Sequence, residues 1–585
     1  MSAPRLARVL LLLSPALLLL ATVGFVILKP TAPANPVAPG PIASTGGGKL
    51  VVLAVFDQLR GDYLERWKQH FGSAGFERMK RDGAWFSNVR LPYSGTSTAP
   101  GHASLLTGAP PSVHGIVENR WFDRSLGQIV AAATLDGVAR VPADETATRE
   151  RWPGLSPKRL LAPTVGDALK AQAKNGRVFS LALKDRAAVL MGGQDPHGAY
   201  CFDSGTGEFH TSAHYRDKLP GWVDEFDRSR VVFRWAGKTW DRFGPLAAYD
   251  ALGADDVAGE ASRTHGGRRT FPYPLGTPDD RTRNHFAMLE ASPFGNELLW
   301  EFAKAAIAGE KLGSSGTPDL LCLGFSANDL LGHDHGPDSH EVLDITLRSD
   351  KLVADMIAHL DATVGPGGWT LVVTADHGVG PLPEVAVRTD PDAKRIGLAD
   401  LYGGLDQHLD KVFGTIDGVP GQWIELGSRL EATYPWLYLN RRLIDAHGLK
   451  TSEVEVAAAS WLRERPTPLA VLTRSTLESG DFASETEKKF GPLVQKSFHP
   501  ARCGDIAVVP PPHHLVLGAL STGTDHGSPH DYDRHIPILA IGAGIPKLGE
   551  RKEMTSSLTV APLLSKLLGI DPPKEAKEPL PAELK

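Results

Sequence analysis

The chain has 585 residues, 42% of them hydrophobic and 22% charged, which gives ample apolar material for a large core and excludes general disorder. Its formal net charge of −6 supplies no basic field of the kind that displaces counterions from nucleic acid, so a nucleic-acid partner is disfavoured. Only three cysteines occur, Cys201, Cys322 and Cys503, which rules out a disulfide scaffold or a cysteine-rich zinc module and leaves room for one disulfide at most.

In chain order, Arg5 and Arg8 precede an apolar run from Val9 to Leu28 that Lys29 closes and that carries no charge. The run has about the 20 residues a helix needs to cross a bilayer. Residues 1–29 therefore read as a signal peptide or as a single-span membrane anchor with a cytoplasmic N-terminus. Both readings export the rest of the chain, to the periplasm or the outside, either free or anchored to the inner membrane. Residues 30–48, rich in Pro, Ala, Gly and Ser, predict a flexible linker.

From Lys49 to about Asp571 the pattern is that of one α/β domain. Apolar runs at 50–56, 177–183, 319–325 and 369–374 read as buried strands, and each ends in polar residues: Asp57, then Lys184 with Arg186, then Ser326 with Asp329, then Asp376. Stretches at 296–308 and 339–360 carry apolar residues at helical spacing. Alternating strands and helices predict a doubly wound, mostly parallel sheet flanked by helices, an α/β/α sandwich with its chemistry at the strand ends. Two irregular stretches, near 193–284 and 378–435, read as cap-like insertions shaping the mouth of a site. The segment 572–585 reads as loose surface tail.

The polar strand ends form a pattern suited to two metal ions. Zinc takes imidazole nitrogens and carboxylate oxygens, and a pair of ions about 4 Å apart can activate a nucleophile, neutralise phosphoryl oxygens and assist an alkoxide leaving group. Asp57 follows the first strand, where a structural N-cap is the alternative role. Asp329 and His333 stand four apart, on one face if their segment is helical. Asp376 and His377 follow a strand directly and precede Gly378, and His526 sits in a further polar loop. The loop 94–104 holds Thr96, Ser97 and Thr98 before a helix whose free amides suit a phosphate. Any of the three hydroxyls could attack phosphorus on chemistry alone. Lys184 and Arg186, placed on one side of an extended segment, could grip terminal phosphoryl oxygens.

Taken together, the motifs at 55–60, 98–104, 114–119, 184–186, Asp329 with His333, 376–378 and 526–528 resemble the alkaline phosphatase superfamily. Within it they are most similar to the threonine-nucleophile, PafA-type alkaline phosphatases, which are close to the nucleotide pyrophosphatases/phosphodiesterases. The resemblance implies that Thr98 is the nucleophile, forming a phosphothreonine that is then hydrolysed. It implies two Zn2+ ions, one held by Asp329, His333 and His526, the other by Asp57, Asp376, His377 and the Thr98 oxygen. Asn119 matches a position whose amide contacts a phosphoryl oxygen. Lys184 and Arg186 match a pair that favours monoesters, because fixed cations reward the dianion over a diester monoanion. The implied substrates are small-molecule phosphate esters, with phosphodiester or pyrophosphate cleavage at the same site as the alternative, and no protein partner is evident. Zinc suits the donor set, and manganese or iron would also fit it.

Overall fold

The structure is a computed structural model that describes residues 48–143, 154–173, 175–277, 283–415, 418–425, 433–467, 469–517 and 522–585. The apolar segment from Val9 to Leu28 and the linker up to residue 47 lie outside the described residues. Among the described residues no helix is long and apolar enough to cross a membrane.

Eight strands carry the architecture: β1 (Leu50–Phe56), β2 (Ala84–Arg90), β3 (Val178–Ala182), β4 (Gly198–Asp203), β5 (Glu208–Ser212), β6 (Asp319–Phe325), β7 (Trp369–Thr374) and β8 (His535–Gly542). Across the sheet they lie in the order β2-β8-β7-β1-β6-β3-β4-β5, with short strands Gly549–Arg551 and Arg140–Val141 beyond the two ends. From β7 to β4 the neighbours are parallel, whereas β8 and β5 run antiparallel to their partners. This is the doubly wound, mostly parallel sheet expected from the sequence.

β1 reads Leu-Val-Val-Leu-Ala-Val-Phe without alternation because helices cover both faces and every residue is buried. It pairs Leu53 with Cys322 of β6 on one side and with Val372 of β7 on the other. The last residues of β1 and β6, Phe56 and Phe325, stack with ring centroids 4.7 Å apart. Directly beyond that stack the chain turns polar. The helices that matter to the site are α1 (Thr98–Thr107), α2 (Asp185–Gly192), α3 (Pro293–Gly309), α4 (Ala327–His335) and α5 (His340–Thr363).

Three expectations are corrected. The stretch 193–284 is not wholly an excursion, since β4 and β5 extend the main sheet; their glycine-flanked, short runs hid them. The stretch 378–435 is only the start of a lobe that continues to about residue 517. That lobe contains helices Leu398–Phe413, Thr451–Arg463 and Glu485–Ser497 and a sheet of Trp436–Leu437, Ile506–Val509 and Ala470–Thr473. Its later elements are patterned like ordinary α/β sequence, so composition does not mark them off. The C-terminal tail is held rather than loose: Leu584 is 4% exposed, and the Lys566 ammonium donates to the carbonyls of Leu584 and Lys585. All three cysteines are free, buried thiols.

Leu323, in the middle of β6, is wholly buried. Leu323→Ala should destabilise the domain by about 3 kcal/mol through lost transfer energy and the cavity left behind, read as a lower denaturant midpoint.

Candidate active site

The parallel strands deliver their polar ends to one rim of the sheet, and the three carboxylates there are fully buried: Asp57 0%, Asp329 1% and Asp376 1% exposed. Asp57 is not a helix cap, and its Oδ1 has no hydrogen-bond partner. Gln58 follows with φ of 68°. This turn lets its backbone N–H donate to Asp376 Oδ1 at 3.1 Å and its Nε2 donate to Asp329 Oδ1 at 2.8 Å. Room for the Gln58 side chain exists because α4 carries Gly332 opposite it; a Cβ there would stand 1.7 Å from Gln58 Oε1.

Asp329 and His333 share a face of α4, with Oδ1 and Nε2 3.3 Å apart. His526 Nε2 lies 3.4 Å from the same oxygen. On the other side, His377 Nε2 is 3.4 Å from both Asp57 Oδ1 and Asp376 Oδ2. Each imidazole is oriented through its other nitrogen: Nδ1 of His333, His377 and His526 meets the backbone carbonyl of Thr524, Gly378 and Thr96 at 2.9, 2.9 and 2.7 Å. A carbonyl only accepts, so Nδ1 carries a hydrogen and Nε2 is the nitrogen that faces the carboxylates, the one a metal ion would take from each imidazole.

Lys184 Nζ crosses this cluster, donating to Asp57 Oδ2 at 2.7 Å and to Asp329 Oδ2, with Thr98 Oγ1 3.5 Å away. Burial, followed by the charges of Asp329 and Asp376, pushes the Asp57 carboxyl above its usual range. Burial opposes ionisation of Asp329 too, but His333 and Lys184 outweigh it and hold that group well below the carboxylate range. His377 falls to about 3 through burial and the neighbouring His526. His526, despite its burial, is raised to about 10 by Asp329 and Asp525.

Thr98 is the first residue of α1 and is 1% exposed. The three hydroxyls of its loop are not equivalent. Thr96 Oγ1 donates to the Ser528 carbonyl at 3.0 Å and accepts from Gly527 N, and Ser97 Oγ donates to Glu118 Oε2 at 2.7 Å. Thr98 Oγ1 faces Lys184 instead. Asn119 Oδ1 accepts from Ala99 N at 2.8 Å, which leaves its Nδ2 hydrogens for another acceptor.

Lys184 and Arg186 do not lie on a common extended segment. The strand ends at Ala182, Lys184 is the extended residue preceding α2, and Arg186 is in the first helical turn. Both cations nevertheless line one cavity of about 630 Å³ together with Asn119, Arg140, Phe202 and Glu290. Sequence reasoning assigned no role to Gln58, Glu118 or His102. His102, wholly buried in α1, places Nδ1 2.9 Å from the Thr98 carbonyl and 3.2 Å from Asp376 Oδ2. Its position one helical turn after Thr98 was the available signal.

The donor set fits divalent cations. Asp329, His333 and His526 form one group, and Asp57, Asp329 and His377 another, each with ligand atoms within 4.8 Å of one another. Asp329 belongs to both, and Asp376 adjoins the second through His377. Asp57 Oδ1, Asp376 Oδ2 and His377 Nε2 are buried without a hydrogen-bond partner. Orphaned acceptors of this kind are costly unless a cation meets them.

A model of the type I phosphodiesterase / nucleotide pyrophosphatase family matches residues 51–533. The alkaline phosphatase PhoV of Synechococcus elongatus is 32% identical over 536 residues, covering 90% of each chain. Alkaline phosphatase PafA of Elizabethkingia meningoseptica is 31% identical over 533 residues, 90% of this chain and 93% of that protein. The crystal structure of wild-type PafA superposes with a TM-score of 0.83, covering 92% of this chain and 99% of that one at 31% identity.

Gln58 orients two carboxylates without belonging to either donor group. Gln58→Ala should weaken divalent-metal affinity by about 10- to 100-fold, measured by competition with a chromophoric chelator, while the far-UV circular dichroism stays unchanged.

Proposed function

The chain belongs to the type I phosphodiesterase / nucleotide pyrophosphatase family and is an alkaline phosphatase; we propose that it is an exported two-zinc enzyme that hydrolyses phosphate monoesters through a phosphothreonine on Thr98. The observation that carries this reading is the placement of Thr98. Among Thr96, Ser97 and Thr98, its hydroxyl is the one engaged by neither a carbonyl nor a carboxylate, and it faces Lys184 across the buried Asp57–Asp329 pair.

Asp329, His333 and His526 would hold one zinc ion, and Asp57, Asp376 and His377, with the Thr98 oxygen, the other. When bound, the ions would supply positive charge to the nucleophile, the phosphoryl oxygens and the leaving oxygen. The chain's own residues account for the rest. The start of α1 presents the favourable end of the helix dipole to a phosphoryl group beside Thr98, while its Ala99 N–H holds Asn119 in place and Pro100 has no N–H to offer. Asn119 has Nδ2 hydrogens to donate to a phosphoryl oxygen. Lys184, buried and held positive by Asp329 and Asp57 against its own burial, and Arg186, at the wall of the same cavity, add fixed charge where a monoester dianion carries its excess. The 630 Å³ cavity has room for a varied organic group, consistent with broad specificity toward small phosphate esters. The apolar run from Val9 to Leu28 after two arginines supports export to the periplasm or beyond.

The family description also names phosphodiesterases and pyrophosphatases, so a diester activity is the competing reading of the same site. A paired assay separates them: the metal-loaded enzyme should hydrolyse an aryl phosphate monoester faster than the matching methyl diester. Lys184→Ala should cut the monoester rate by about 100-fold or more and the diester rate by less. Faster turnover of the diester, with that ranking unmoved by Lys184→Ala, would overturn the monoester assignment. Thr98→Ala should lower kcat by at least about a thousand-fold while the metal content is kept. Full turnover in that variant would sink the nucleophile assignment and leave the metal site standing.

A further inference from the structure

A third group of donors lies apart from the two just described. Glu260, His335 and Glu341 are 1%, 2% and 0% exposed, and each offers a ligand atom within 4.8 Å of the others. His335 Nδ1 is 3.7 Å from Glu260 Oε2 and 3.6 Å from Glu341 Oε2. Those separations are too long for hydrogen bonds. They are close to the edge of a tetrahedron about a zinc-sized ion, about 3.3–3.6 Å for bonds of 2.0–2.2 Å.

The polar atoms in this group are unusually bare. Both carboxylate oxygens of Glu260, both ring nitrogens of His335 and Oε2 of Glu341 are buried without a hydrogen-bond partner. The remaining oxygen, Glu341 Oε1, accepts from Tyr273 OH at 2.6 Å, which fixes the carboxylate so that Oε2 turns toward His335. The surroundings are aromatic: His265 packs on Tyr273 at 4.8 Å between centroids, and Trp240 on the same ring at 4.9 Å. The nearby Asp334 is already paired with Arg263 at 2.6 Å, so that arginine is not available to the glutamates. One ligand atom from each of the three residues lies within 4.8 Å of the other two, and buried polar atoms left without partners are costly unless a cation meets them.

We infer that Glu260, His335 and Glu341 bind a third divalent transition-metal ion, of the zinc or manganese type that one imidazole and two carboxylates suit. Burial, which pushes Glu260 up to about 8 and Glu341 up to about 7, agrees with carboxyls that need a cation to ionise there. The ion's role is structural. Ala261 N donates to the Asp334 carbonyl at 2.8 Å, Gly523 N to the Gly259 carbonyl at 2.6 Å, and Thr524 N to the His333 carbonyl at 2.8 Å. A metal joining Glu260 to the end of α4 and the start of α5 would therefore clamp the strap that flanks His333 and leads to His526. The inference does not depend on the two-metal reading of the active site.

The test uses the full chain stripped with a chelator and reloaded with Zn2+, Mn2+ or Ca2+ in separate arms, with bound metal counted by plasma mass spectrometry after dialysis. Glu260→Gln, isosteric with the native residue, should retain one equivalent fewer than the unsubstituted chain in the zinc or manganese arm and lose part of the metal-dependent rise in Tm. A difference of one is readable whatever the count at the other donors, so failure here and failure of the active-site reading are distinguishable. Equal metal counts in the unsubstituted chain, Glu260→Gln and Glu341→Gln in both transition-metal arms would overturn the inference, as would retention in the calcium arm alone. Should the variants not fold, crystals of the zinc-loaded unsubstituted protein decide the matter: an anomalous peak among the three side chains supports the site, and its absence overturns it.

Discussion

Three carboxylates gathered in one buried pocket set the terms for the rest of this molecule. Asp57, Asp329 and Asp376 repel one another where little water is present to screen them, and much of what surrounds them is arranged to offset that repulsion. Lys184 bridges two of the carboxylates, Gln58 ties two of them to a backbone amide and a side-chain amide, and three imidazoles are locked with Nε2 facing inward. The parallel sheet makes this possible. Its strands end together, so residues far apart in sequence arrive at one rim, and the Phe56–Phe325 stack closes the apolar side of the boundary.

The lobe that starts near residue 378 and continues to about residue 517 contributes more than a cover. Ala99 and Ala103 of α1 share an apolar cluster with Trp436, Tyr438, Phe490 and Val494 of that lobe. Ser497 Oγ, at the end of its helix, accepts from the backbone amides of Ser94 and Gly95 at 3.1 and 2.8 Å. The helix that presents Thr98 is therefore seated by the lobe on one side and, through Leu105 and Leu106, by the main core on the other. Precision at a reacting hydroxyl depends on such bracing, because small displacements of a nucleophile cost disproportionately in rate.

Much of the frame was legible in the sequence because buried parallel strands are written as unbroken apolar runs. The stretches at 50–56, 319–325 and 369–374 read as strands and match β1, β6 and β7 residue for residue. The Asp329–His333 pair was legible too, since helical spacing alone puts i and i+4 on one face. What was not legible depended on local backbone geometry or long-range packing. The turn of Lys184 out of the strand and of Arg186 into the helix is decided by where α2 begins, not by an i, i+2 rule. The distinction among Thr96, Ser97 and Thr98 rests on a carbonyl at Ser528 and a carboxylate at Glu118, neither of which a local reading of the loop includes. The Glu260–His335–Glu341 group draws on an irregular segment that carried no periodic signal.

The space opposite Gln58 has a consequence for how this protein can vary. Gln58 reaches Asp329 only because Gly332 carries no side chain, so the two positions behave as a lock and its notch. A larger residue at 332 would expel the glutamine, and a shorter residue at 58 would leave the notch without purpose. A side chain at 332 is accommodated only with a shorter residue at 58, which ties the inheritance of a residue on a helix to that of a residue on the first strand's turn, encoded far upstream.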